Sequence, residues 1–377
     1  MKFLHLADLH LGRTLHKYSL IEDQKYFLDF VIDQTDQHRP DAIVIAGDIY
    51  DRAIPSAEAT QLFDYFLTEL SKRECLTMII SGNHDSSTRL SYAGNFFREF
   101  HIHIATEPQE QVEKIVLSLD QTYYFYLIPF FKPVNIKNLY PEAEIETYQQ
   151  AMEQLISGID LSVPGKHILI AHQFFINQSG EAIVSDSEQL SVGGLDRIQA
   201  ERVKDFDYVA LGHLHQPHYV QYENIRYSGS PLVYSASELA RPKFLSMIEM
   251  NNEPGFKLHK IPFEPLYPVH LIEGNFVDLI NQARENPSED YFYISLLDYE
   301  PIPDLAIRFK RFYPRLLEVR TPHFNYSVDS FNALSAAPNE LSIGQLFALF
   351  HEEETGRVIS DSDRKIIQEL ERKGELT

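Results

Sequence analysis

The sequence predicts an α/β (α+β) protein: a mixed β-sandwich flanked by helices, followed by a smaller α+β unit and a C-terminal helical pair. Three observations carry this. Short β-branched apolar runs alternate with amphipathic helical patterns early in the chain. Further short runs then follow without such helices, and a mixed sheet sandwich accommodates both groups. Composition shifts at a proline cluster near 263–275. At 377 residues the chain exceeds the size at which one core stops growing, so two domains, or one with appendages, are expected.

The runs at 2–7, 41–47, 76–81, 167–172 and 207–212 have the length and composition of strands covered on both faces. Two helical patterns separate the first three. One spans 19–37 with Phe27, Phe30 and Val31 on its stripe; the other spans 56–74 with Leu62, Phe63, Phe66, Leu67 and Leu70. Pro55 and Ser56 form a helix start for the second. Strand, helix, strand at this spacing predicts right-handed crossovers. Runs at 115–119, 123–130, 225–230, 245–250 and 256–263 supply the remaining strands of the body, residues 1–264. The unit at 265–325 reads as a strand near 268–272, a helix near 276–286, a strand at 291–298 and a helix near 303–312. The segment 326–377 holds two short amphipathic helices, one carrying Leu346, Phe347, Leu349 and Phe350, the other Ile366, Ile367 and Leu370.

Chemistry concentrates where the first five strands end. "ADLHLG" supplies Asp8 and His10, "AGDIYD" Asp48 and Asp51, "GNHD" Asn83 and His84, "AHQF" His172, and "GHLHQP" His213 and His215. In open α/β sheets the carboxyl ends of strands line the ligand crevice, so five such ends can converge on one site. Imidazole, carboxylate and amide donors without a thiolate suit manganese, iron or zinc. Seven donors exceed one tetrahedral site, whereas two ions sharing a carboxylate use them all; Asp48 is the natural bridge. Two dications roughly 3.5–4 Å apart clamp a phosphate and lower the pKa of water from about 15.7 to near 7, which makes phosphoester hydrolysis the reaction such a site serves.

Composition narrows the setting. A hydrophobic content of 44% and a charged content of 23% are ordinary for a folded soluble protein. The single cysteine, Cys75, excludes an internal disulfide and fits a reducing cytoplasm. No apolar run approaches the roughly 18 residues of a membrane span, and Asp8 interrupts any apolar leader. The expected location is the cytoplasm. A net charge of −22 argues against a broad basic surface for nucleic acid. Bound dications would invert that field locally.

The motifs DLH, GDIYD, GNHD, AHQ and GHLH resemble those of the calcineurin-like metallophosphoesterases. Longer stretches, "HLADLHLGRTLHKYSLIEDQ", "SDSEQLSVGGLD" at 185–196 and "YSGSPLVYSASE" at 227–238, resemble the SbcD family, the nuclease subunits of bacterial SbcCD complexes. The resemblance runs nearly the whole chain, strongest over 1–240. It implies a four-layer metallophosphoesterase sandwich with a DNA-binding capping domain at 265–325 and a partner-docking helix-loop-helix within 326–377. It assigns Asp8, His10, Asp48 and His215 to one manganese ion and Asp48, Asn83, His172 and His213 to a second. His84 matches the family histidine that faces the scissile phosphate without binding metal. Asp51 then either orients His84 or stabilises its turn, and Asp85 reads as a loop cap.

The resemblance further implies cleavage of DNA: a 3′→5′ exonuclease on duplex ends and an endonuclease on single strands and hairpins, ATP-dependent, working in DNA repair, recombination and replication. The expected assembly is a homodimer within a heterotetramer with the ATPase SbcC, docked through the C-terminal helices. The densest basic cluster, Arg308, Lys310, Arg311, Arg315 and Arg320, either neutralises phosphates or forms a solvated helix face. His16, Lys17 and Arg89 are further phosphate-contact candidates. Two alternatives stay open: a stand-alone phosphoesterase acting on nucleotides or phosphoproteins, and a non-catalytic end-binding scaffold.

Overall fold

The computed structural model describes residues 1–180, 185–188, 196–300, 302–322 and 364, and the chain divides into two compact units, Met1–Pro268 and Val269–Thr377. The two helices expected within 326–377 lie outside the described residues.

In the first unit the apolar runs become strands β1 (Lys2–Leu6), β2 (Ala42–Ala46), β3 (Leu76–Ile80) and β4 (Ile102–Ala105), joined as parallel neighbours. Strands β5 (Glu113–Ser118), β6 (Thr122–Ile128), β7 (Lys166–His172), β8 (Tyr208–Gly212), β9 (His218–Val220) and β10 (Tyr222–Tyr227) form a second sheet. Strands β11 (Phe244–Glu249) and β12 (Lys257–Pro262) return to the first, which runs β12-β11-β1-β2-β3-β4. The second runs β9-β10-β8-β7-β6-β5. Antiparallel pairs at β1–β11, β11–β12, β5–β6 and β9–β10 make both sheets mixed.

Alternation along each strand builds the layers. Phe3, Val44, Met78 and Ile80 of one sheet meet Phe125, Leu127, Ile168 and Ile170 of the other in the core between them. The intervening Leu169 and Ala171 of β7 turn outward onto helices α3 (Pro133–Leu139) and α4 (Tyr148–Ile156), which contribute Ile136, Ala151, Met152 and Leu155. Helices α1 (Ile21–His38) and α2 (Ala57–Ser71) lie in the first two crossovers. Ser56 caps α2 by accepting a hydrogen bond from the Ala59 N–H at 3.2 Å. Helix, sheet, sheet, helix is the four-layer sandwich expected from the sequence.

Two differences from the sequence reading have physical causes. No helix was expected between the later strands, yet α3 and α4 fill the β6-to-β7 crossover. They are short and interrupted by Pro141, which weakens their periodicity, although Thr147 and Gln150 form a reciprocal capping box. In the second unit, β13 (Val269–Gly274), α5 (Phe276–Glu285), β14 (Tyr291–Leu296) and α6 (Leu305–Lys310) precede an unexpected third strand, β15 (Arg315–Arg320). Its charged ends hid the buried Leu316 and Leu317. The three parallel strands, ordered β13-β14-β15, share a core of Leu279, Phe292, Ile294, Phe309 and Leu316.

Candidate metal centre

The carboxyl ends of β1, β2, β3, β7 and β8 converge because these strands lie side by side in the two facing sheets. Tight turns then aim the side chains inward. Asp8, His10, Asp48 and His213 all have positive φ, at 55°, 45°, 51° and 106°. Such backbone is costly for residues with a Cβ and persists only where its surroundings enforce it. Here the Asp8 N–H donates to the Gly47 carbonyl and the His10 N–H to the Asp48 carbonyl, both at 3.0 Å. The glycines beside the donors are equally constrained. A Cβ on Gly47 would fall 2.2 Å from His172 Nδ1, and one on Gly82 would fall 2.1 Å from Asp48 Oδ1.

All seven expected ligands meet in one cluster. Asp48 Oδ2 lies 3.6 Å from His10 Nε2 and 3.4 Å from His172 Nε2. His10 Nε2 faces His215 Nε2 at 3.1 Å. Asn83 Oδ1 stands 3.0 Å from both His172 Nε2 and His213 Nδ1. Donor atoms of Asp8, His10 and His215 lie within 4.8 Å of one another, as do those of Asp8, Asp48 and His172. The same holds for His10, Asp48 and His84. Except for Asn83 and His84, every one of these residues is buried.

Hydrogen bonds made from behind fix which ring atom faces inward. His172 Nδ1–H donates to the Ala46 carbonyl at 2.8 Å, leaving Nε2 for the interior. His215 Nδ1 meets Ser187 Oγ at 2.6 Å and Glu238 Oε1 at 3.3 Å. Its backbone N–H donates to Glu188. Glu238, fully buried, also accepts from Ser187, Ser230 and Lys243; burial opposes its charge, but Lys243 and His215 hold its carboxyl well below the usual range. The carboxylate–histidine pair is the arrangement that orients a metal-binding imidazole.

The electrostatics of the cluster are unbalanced without cations. Burial pushes the Asp8 carboxyl up to about 6, while it holds His10 well below its ordinary value and lowers His213 to about 3. Burial also opposes charge on Asp48 and His172, but their mutual attraction prevails: Asp48 is held well below the usual range and His172 is raised to about 9. Asp8 Oδ2 and His10 Nδ1 are buried without hydrogen-bond partners. Orphaned atoms, inward-facing imidazole nitrogens and a carboxylate between two histidines suit a pair of dications, as does the nitrogen and oxygen donor set.

A cleft of about 490 Å³ beside the cluster is lined by Arg13, Asp51, Arg52, Asn83, His84 and Ser187, among others. His84 Nδ1–H donates to the backbone carbonyl of Asp51 at 2.8 Å, and its backbone N–H donates to Asp48 Oδ1 at 2.9 Å. The Asp51 carboxylate therefore does not orient His84; it pairs with Arg13 at 3.2 Å and Arg52 at 3.5 Å. Asp85 is a loop cap, accepting from the N–H groups of Ile49, Tyr50 and Gly82.

The DNA contacts expected in the first unit stand outside this cleft. His16, Lys17 and Arg89 are exposed, and none of them lines the cleft. In the second unit Arg315 pairs with Glu289 at 2.9 Å and Arg320 with Glu318 at 3.1 Å, whereas Lys310 and Arg311 are exposed. Arg308 lies over the Phe276 ring at 5.3 Å. Sequence reasoning missed Arg13, Arg52, Ser187, Glu188 and Glu238. The matched stretches around Arg13, Ser187 and Glu238 were the signal available.

A mixed sandwich with clustered strand-end donors beside an open cleft defines a metallophosphoesterase. The calcineurin-like phosphoesterase family model matches residues 1–217, and the type 5 capsule protein repressor C-terminal domain model matches 265–355. The SbcD subunit of the nuclease SbcCD from Staphylococcus epidermidis is 33% identical over 330 residues, covering 87% of each chain. Its namesake from Staphylococcus saprophyticus is 32% identical over 374 residues, covering 98% of this chain and 97% of that one. A dimetal phosphatase from Danio rerio aligns with a TM-score of 0.41 at 11% identity, over 70% of this chain and 99% of that one. The chain belongs to the calcineurin-like phosphoesterase family and, within it, to the SbcD nucleases of SbcCD complexes. It is a metal-dependent phosphodiesterase, and among the described residues no helix is long and apolar enough to cross a membrane.

Proposed function

We propose that this chain is the DNA-cleaving subunit of an SbcCD-type complex, using two manganese ions. The observation that carries the reading is Asp48 Oδ2 standing between His10 and His172, at 3.6 and 3.4 Å, as a bridging carboxylate would. Asp8, His10, Asp48 and His215 would hold one ion; Asp48, Asn83, His172 and His213 would hold the other. Such a pair supplies positive charge that binds a phosphodiester and activates water. The chain's own groups do the rest. His84, fixed through Nδ1, offers Nε2 to charge developing on the phosphate or to the leaving oxygen. Arg13 and Arg52 offer cationic contacts for phosphates entering the cleft.

In this reading residues 1–264 form the nuclease domain, 265–325 the DNA-binding cap presenting Lys310 and Arg311, and 326–377 the dock for an SbcC-like ATPase. The curated relatives are named as subunits of SbcCD, which supports assembly with an SbcC-type subunit; the assembly proposed is a heterotetramer built on a homodimer of this chain, in the cytoplasm. Substrates would be duplex ends, degraded 3′→5′ with ATP, and single strands or hairpins cut internally. Labelled duplex and hairpin DNA incubated with manganese, with and without the ATPase partner, tests this. Cleavage from the 3′ ends and at hairpins is expected. Turnover of nucleotides or phosphoproteins but never DNA would replace the nuclease reading with that of a stand-alone phosphoesterase.

A further inference from the structure

A second polar cluster lies between the two sheets, apart from the metal centre. Arg226 of β10 is only 2% exposed, and both its Nε and its Nη2 are buried without a hydrogen-bond acceptor. A guanidinium stays charged at any working pH, so it cannot escape burial by losing its proton. No carboxylate pairs with it among the described residues. A buried cation lacking a counter-charge is costly enough that a compensating group is expected.

Strand register shows what surrounds it. Arg226 stands opposite Ala210 of β8 and Tyr219 of β9, and Ala210 belongs to the core between the sheets. Two residues before Ala210, the Tyr208 hydroxyl meets His5 Nδ1 at 3.0 Å, and His5 is the cross-strand partner of Ser246. Ser246 is 1% exposed and its Oγ is also unpartnered. Ser246 lies opposite Lys260 on β12. Arg226 and Lys260 both lie over the Phe244 ring, at 5.5 and 5.1 Å. The neighbours provide no negative charge: burial and Arg226 lower His5 to about 3, and burial pushes the Tyr208 hydroxyl far above its usual range.

We propose that the Nε/Nη2 edge of Arg226, together with Ser246 Oγ, binds a small inorganic anion between the sheets. That edge is the face of arginine that takes two oxygens of one oxyanion or a single halide. Lys260 adds a second cation, and Tyr219 and Phe244 give the site apolar walls.

The test is thermal unfolding of the full chain in chelator, with chloride replacing gluconate at constant ionic strength. Chloride is expected to raise the melting temperature saturably by a few degrees. Arg226→Met should abolish that dependence, and Ser246→Ala should shift half-saturation several-fold to higher chloride. Sulfate and phosphate titrations, read as wild type minus Arg226→Met, separate site binding from general salt effects. Crystals grown in bromide should show an anomalous peak within hydrogen-bond reach of Arg226 Nε. Should Arg226→Met not fold, Ser246→Ala and the bromide crystal decide. Equal chloride dependence in the wild type and both variants, or no bromide peak at Arg226, would overturn the proposal in favour of water.

Discussion

His10 and His215 face each other Nε2 to Nε2 at 3.1 Å, although they come from strands of different sheets. Ring nitrogens at that distance share a hydrogen bond, one donating to the other. His215 Nδ1 is engaged by Ser187 and Glu238, while His10 Nδ1 is buried without a hydrogen bond and has only the Asp51 carboxylate beyond hydrogen-bond reach, at 3.7 Å. The contact therefore has hydrogen-bonded support only behind His215, so under the proposed dimetal reading Ser187 and Glu238 are the groups that would position its ring.

Glu238→Gln and Ser187→Ala should each weaken manganese binding about 10–100-fold, the usual cost of losing an orienting partner. Manganese titration followed by electron paramagnetic resonance measures this directly. Affinity unchanged in both variants would remove these residues from any positioning role.

Asp48→Asn should lower occupancy at both metal positions, because one carboxylate oxygen lies near donors of each. Elemental analysis after equilibration with manganese counts the ions. Two ions per chain in the variant would contradict the bridge.

His84→Gln should retain both ions yet lower kcat on DNA by about 10²–10⁴, the range of a general acid or base. Its ring is held by a backbone carbonyl, so truncation disturbs little else. Wild-type turnover would return His84 to a structural role and reopen the end-binding scaffold.

His5 predicts a pH dependence of stability. Its folded value, about 3, lies below the ordinary 6.5 because of burial and Arg226, so below pH 6.5 the unfolded chain binds the extra proton. Stability contributed by neutral His5 is present above 6.5 and is lost as pH falls toward 3. In chelator, urea unfolding should show the stability of wild type falling relative to that of His5→Phe by about 1.4 kcal/mol per pH unit below pH 6. Parallel curves would mean that His5 is protonated in the folded chain.

Much of this protein is legible without coordinates. The buried strands read as uninterrupted apolar runs because sheets covered on both faces leave no polar alternation. The candidate metal donors read as punctuation at or just after the ends of those runs, where a side chain can be aimed into a crevice. Asp8, His10, Asp48, Asn83, His84, His172, His213 and His215 were all accessible by that logic. What only the tertiary structure decided involves residues with no periodic or positional signature: Ser187 and Glu238 behind His215, Arg13 across the Asp51 carboxylate, and Arg226 and Ser246 buried between the sheets. Asp51 shows the limit most clearly. Its type suggested a carboxylate acting on His84, but its backbone carbonyl makes that contact, and the direction in which a turn points a carbonyl is set by the packing around it.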